Sequence, residues 1–213
     1  MHPSTPGRGP GAGPAIVVPG APLLVPELVG APGDPDADAV RAAALAAARW
    51  LGDRAPSWRV VAAEPLTRPD GAGTLLGFGA DVLVTAAPGG PSGDAPPAAD
   101  WPLPLLIAAW LRGSGAPSAR IVGPTDPAEG PIGTVFVLDG PNTLTARAPG
   151  GHHPQDAAIF DAQCAAVCAG GPRGGLDPGW TAAAEAFDGA PVRTLYRGAP
   201  FGVGYLVATG GRA

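Results

Sequence analysis

Lysine is absent from the chain, so all thirteen basic side chains are arginines, and histidine occurs only three times, cysteine twice and methionine once. The arginines are scattered and the net charge is −5. Phosphate neutralisation needs clustered Arg or Lys, so nucleic acid is not an expected partner. No run reaches the roughly 18–20 apolar residues of a membrane span, so no membrane partner is expected either. The opening MHPSTPGRGPGAGP holds no hydrophobic stretch of the kind a signal peptide needs, and it reads as a flexible leader over residues 1–14. The expected compartment is therefore the cytoplasm, where Cys164 and Cys168 stay as reduced thiols.

Aromatic residues make up only 6% of the chain, so Ala, Val and Leu must fill the core that a 46% apolar composition allows. Glycine (34) and proline (29) are abundant. A disordered chain would also be poor in grouped Val, Leu and Ile. Here those residues fall into strand-length runs, which predicts one folded domain over 15–213 with turn-rich connections.

Ala15–Val18 is an unbroken apolar run leading into a proline-rich turn (Pro19, Pro22, Pro26), as expected of a strand buried on both faces. Asp34 or Asp36 can cap a helix over 37–51, where Val40, Ala44, Leu45, Ala48 and Leu51 recur at helical spacing before Gly52. Further strands are predicted at Trp58–Ala63, Val82–Thr85, Ala119–Val122 and Thr134–Leu138. Helices are predicted at Leu103–Arg112, at Gln155–Ala169 ending on Gly170-Gly171, and from Asp177-Pro178 to about Phe187. Val192–Tyr196 and Val203–Thr209, joined by a Gly-containing connection, predict a closing antiparallel pair. The expected fold class is α/β: a mainly parallel central sheet with helices on both faces and a C-terminal antiparallel strand pair.

In open α/β sheets ligands gather at the carboxyl ends of the strands. Asp139, Asn142 and Thr143 follow a predicted strand end and are the leading cleft candidates. Against this, Asp139 and Asn142 serve equally well as turn builders. Glu64, after another strand, faces the same cleft or is an exposed loop carboxylate. Asp100 closes the long loop APGGPSGDAPPAAD (87–100), whose length points to a cleft border. His152 and His153 are neighbours in a Pro/Gly turn. They could reach a metal with Asp156, Asp139 or Glu64, but a solvated turn ahead of a helix explains them as well. Cys164 and Cys168 share one helix face. A zinc site completed by one of those histidines competes there with plain core thiols. No dinucleotide fingerprint surrounds Gly202-Val203-Gly204, and no G-x-S-x-G elbow is present.

Three segments resemble an actinobacterial-type group within the LigB-like superfamily of class III extradiol ring-cleavage dioxygenases. They are AIVVPGAPLLVPEL (15–28), VFVLDGPNTLTARAPGGHHPQDAAI (135–159) and LYRGAPFGVGYLVAT (195–209), and in order they span nearly the whole chain. The resemblance implies an α/β fold and, in active members, a non-haem Fe(II) held by two histidines and a carboxylate, with a further histidine as acid and base. This sequence departs from that pattern. Val18-Pro19-Gly20-Ala21-Pro22 stands where active members have a His-x-Pro, Ala99-Asp100-Trp101-Pro102-Leu103 has no histidine before its tryptophan, and Asp139–Leu144 has none after the strand. The expectation is a non-catalytic family member without a cofactor, holding a small aromatic ligand or a protein partner. The alternatives are an Fe(II)-dependent enzyme remodelled around His152 and His153, and a homo-oligomeric assembly protein built on its closing strands.

Overall fold

The apolar run that opens the domain feeds two cores at once. In the computed structural model, which describes residues 13–29, 33–66, 71–90, 97–98, 100–128 and 130–211, strand β1 (Pro14–Val18) is buried along its whole length. Ile16 and Val18 face one layer and Ala15 and Val17 the other, because successive side chains of a strand alternate. The first layer is closed by α1 (Pro35–Gly52) and α2 (Leu103–Gly115). The second is closed by α3 (Ala157–Ala169) and α4 (Pro178–Ala186). Each fully buried Val, Ile or Leu contributes about 1.5–3 kcal/mol relative to exposure.

The remaining strands of the main sheet are β2 (Ser57–Val61), β5 (Arg120–Ile121), β6 (Ile132–Val137), β7 (Arg193–Gly198) and β8 (Tyr205–Gly211). Their order is β5-β2-β6-β1-β8-β7. The β5-β2-β6-β1 half is parallel, and β8 and β7 add antiparallel. The fold is therefore α/β, with helices on both faces and the closing pair antiparallel. Residues 1–12, most of the predicted leader, lie outside the described residues, and the first strand takes in Pro14, paired with Gly211.

One strand departs from expectation. β4 (Leu83–Thr85) forms, but it pairs antiparallel with β3 (Ala72–Thr74), a stretch with the look of a loop in the sequence, and the two make a separate small sheet. Its outer side is uncovered: Leu76, Phe78 and Leu83 are 61%, 46% and 55% exposed. Smaller shifts have local causes. β2 stops at Val61, where its ladder with Phe136 ends, and leaves Ala62 and Ala63 to open outward. α1 runs through Gly52. α3 starts at Ala157, after a 3-10 turn at Pro154–Asp156.

Arg112 locks α2 to its surroundings. It is only 5% exposed. Its guanidinium donates to the carbonyls of Thr85 (2.9 Å), Pro117 (2.9 Å) and Ala119 (3.2 Å) and to Thr85 Oγ1 (2.9 Å). This fixes the far end of a helix whose first turn walls the cleft described below. Strand β7 is a sheet edge that carries Arg193, Arg197 and a register shift between Thr194 and Tyr196. Charges and bulges of this kind discourage pairing with a second edge.

Candidate functional site

The parallel strands deliver their carboxyl ends to one place. Beyond β1 come Pro19 and Gly20, beyond β2 come Ala62, Ala63 and Glu64, and beyond β6 come Leu138 and Asp139. The β1–β6 ladder extends to a bond from Leu138 N–H to the Val18 carbonyl (2.9 Å). One residue later the Gly20 amide donates to Asp139 Oδ1 at 3.2 Å. Glycine at 20 eases this approach: a Cβ there would lie 3.0 Å from Asp139 Oδ2 and 3.4 Å from Val137 Cγ1, tight contacts that would push on the carboxylate.

The opposite side of Asp139 is held by α4. Asp177 caps that helix by accepting from the Trp180 amide (3.0 Å), and the Trp180 indole Nε1 donates to the Asp139 carbonyl (3.2 Å). The helix start comes this close because residue 179 is glycine; a Cβ there would meet Leu138 Cδ2 at 2.6 Å. The proline turn after β1 is tied down by Arg41 of α1, which donates to the carbonyls of Leu23 and Leu24 (both 2.9 Å) and pairs with Asp38 (2.5 Å).

These elements enclose a cleft of about 430 Å³. Its apolar wall includes Leu66, Leu103, Val137 and Leu138, with Pro102 and Pro104 from the first turn of α2, and its polar groups are Glu64, Asp139 and Asp177. Among the described residues, no Arg, His or Cys lines it. A smaller hollow of about 130 Å³ adjoins it through Leu66, where β2 and the segment after β5 diverge.

Asp139 is exposed at the cleft mouth, with β1, α4 and the start of β8 packed around its base. Desolvation by that packing pushes its carboxyl up to about 6, against the opposing pull of the Gly20 amide. The Tyr205 hydroxyl, at the start of β8, is driven upward too, first by burial and then by the negative charges of Asp139 and Tyr196.

Of the sequence candidates, Asp139 and Glu64 line the cleft, whereas Asp100, Asn142 and Thr143 are not among its lining residues. Asp100 is exposed. The predicted border loop 87–100 falls partly on residues 91–96 and 99, which lie outside the described residues. Asn142 is exposed and its carbonyl closes a turn with the Gly150 amide (2.9 Å). Thr143 is buried and donates to Asp156 Oδ2 at 2.5 Å. The sequence singles out neither Gly20 nor Trp180. Its Asp-Pro pair marks a helix start, but nothing along the chain shows that this start abuts the end of β6.

His153 lies beside the same Asp156, with Nδ1 3.7 Å from Oδ2, and its amide donates to the Thr143 carbonyl (2.9 Å). The two adjacent histidines thus belong to an exposed turn, and neither lines the cleft. Cys164 is buried and its thiol is pushed up to about 11, chiefly by that burial. Cys168 accepts a hydrogen bond from Thr194 Oγ1 (3.4 Å). Among the described residues, no three His, Cys, Asp or Glu side chains are grouped so as to hold a metal ion, and no helix is long and apolar enough to cross a membrane.

Compared with known proteins, the chain matches no family model and no curated sequence.

Proposed function

We propose that this protein is a non-catalytic LigB-like protein that binds a small molecule in the cleft at the ends of β1, β2 and β6. The observation that carries the reading is the Gly20–Asp139 contact: a carboxylate held by a backbone amide at the carboxyl ends of parallel strands, below an apolar wall. The three resembling segments support the family part of the proposal. They fall on β1, on β6 with the loop into α3, and on β7–β8, and these strands are neighbours in the sheet.

An extradiol iron does not fit the residues present. Such a centre needs two separated imidazoles and a carboxylate with open positions between them. The cleft offers carboxylates without imidazole, and one of these, Asp177, is occupied as a helix cap. His152 and His153 adjoin each other on another loop. The proposal therefore includes no oxygenation step. Its ligand is a small, partly aromatic molecule whose polar group meets Asp139.

Purification in the presence of Fe(II), followed by metal analysis and a catechol turnover assay, tests the non-catalytic part. The expected result is substoichiometric iron and no ring cleavage. Stoichiometric iron that disappears in a His152→Ala, His153→Ala double variant would overturn it. Binding is tested by titrating small aromatic probes against intrinsic tryptophan fluorescence and the Trp180 indole resonance. The expected result is saturable perturbation of both signals.

A further inference from the structure

The cleft carries one sign of charge. Glu64, Asp139 and Asp177 supply its charged groups, and no described basic side chain shares the lining. Asp177 is engaged with the Trp180 amide. Asp139 lines the cleft and accepts one hydrogen bond, on Oδ1, from the described residues, whereas a carboxylate has about four acceptor sites, so most of its capacity is left for a ligand. The rest of the wall is apolar, with Leu66, Leu103, Val137, Leu138 and the Trp180 ring as its larger members. The volume of about 430 Å³ falls within the range of small-molecule pockets.

We propose that the ligand is a small organic cation, a primary ammonium seated on Asp139 with its apolar body against Leu66, Leu103 and Val137. This rests on the cleft being a small-molecule site and narrows the chemistry of what enters it. An ammonium supplies three donors to a carboxylate that has taken up only one, and removes the cost of leaving that charge partly desolvated. A carboxylate or phosphate ligand of similar size meets two or three like charges at the cleft mouth and is disfavoured. A neutral hydroxyl keeps a hydrogen bond but loses the Coulombic gain.

The pH dependence follows from the groups around Asp139. They are the Gly20 amide beyond β1, Tyr205 from β8 and the Trp180 indole from α4, with Glu64 after β2 and Asp177 before α4 as the other carboxylates. The first turn of α2 contributes Pro102, Leu103 and Pro104 and no charge. Burial raises the Asp139 carboxyl to about 6, so acidification through that value neutralises the seat. A cation then loses its partner and a neutral ligand does not.

The test uses the full chain and four probes. Three share one body and differ in charge: 3-phenylpropylammonium, 3-phenylpropan-1-ol and 3-phenylpropionate. The fourth is catechol. Affinity is measured by calorimetry, and location by chemical shifts of Leu103 and the Trp180 indole. The ammonium is expected to bind roughly tenfold or more tighter than the alcohol, the carboxylate most weakly. Asp139→Asn, which keeps an acceptor for the Gly20 amide, is expected to bring the ammonium to the level of the alcohol and leave the alcohol unchanged. Lowering pH from 7 to 5 is expected to weaken only the ammonium, a readout that needs no variant. Leu103→Trp, which fills the cleft, is expected to abolish binding of every probe. If the alcohol, the carboxylate or catechol binds as well as the ammonium and shifts the same two residues, the cation inference fails and the small-molecule cleft stands. If no probe shifts them, both fail.

Discussion

The backbone amide of Gly20 donates to the Asp139 carboxylate across 119 positions of sequence, and this bond fastens the exits of β1 and β6 to each other. Gly20→Ala would place a methyl group 3.0 Å from Oδ2. The carboxylate is expected to swing away, with a loss of about 1 kcal/mol of stability as the amide loses its acceptor. Urea unfolding reads the loss of stability. A weaker response of the cleft resonances to ligand reads the displaced carboxylate.

Asp139 also makes stability depend on pH. Its carboxyl is raised from 3.8 to about 6 on folding. The neutral form is therefore the one the fold favours, and its contribution is complete below pH 3.8 and lost as pH rises through about 6. Asp139→Asn keeps the neutral character at every pH. The variant is expected to match the wild type near pH 4 and to exceed it at pH 7 by on the order of 1 kcal/mol, a figure held down by solvent screening at the cleft mouth. A variant less stable than wild type at pH 7, with no trend across that window, would show that the carboxylate is not desolvated.

Arg112 anchors α2 through three carbonyls and a hydroxyl. Arg112→Met keeps much of the aliphatic stem and removes every donor. About 3 kcal/mol or more of destabilisation is expected, because several buried acceptors are left without partners. Since α2 brings Leu103 to the cleft, probe binding should weaken as well. Denaturation midpoint and calorimetry on the same sample check both.

Thr143 provides a contrast. Its hydroxyl bonds to Asp156, in a loop whose residues do not line the cleft. Thr143→Val is expected to cost about 1 kcal/mol and to leave ligand affinity unchanged. A tenfold loss of affinity in this variant would place the loop in the binding site and redraw it.

Much of this fold was legible from local pattern. The run Ala15–Val18 suggested a strand covered on both faces, the Val40–Leu51 spacing suggested one face of a helix, and Asp177-Pro178 marked a helix start that the structure repeats residue for residue. Those features depend on near neighbours and on the alternation or turn of the backbone, and both are written along the chain. The placing of Asp139 and Glu64 after strands came from the same source.

What the chain order could not reveal was which strand ends would meet. β6 inserts between β2 and β1, so residue 139 comes beside residues 20 and 64, while α4 arrives from the far end of the chain to hold its carbonyl. Asn142 and Thr143, three and four residues past Asp139, turn away into their own loop. β3 pairs with β4 in place of a strand of the main sheet. Pairing between distant segments is decided by how the whole core packs, and a one-dimensional pattern carries no distance across the sheet. The sequence alone determined most of the elements of the main sheet and its helices, and not β3 of the small sheet. The tertiary structure alone decided that one carboxylate, among several at strand ends, would be held by the Gly20 amide at the edge of an apolar cleft.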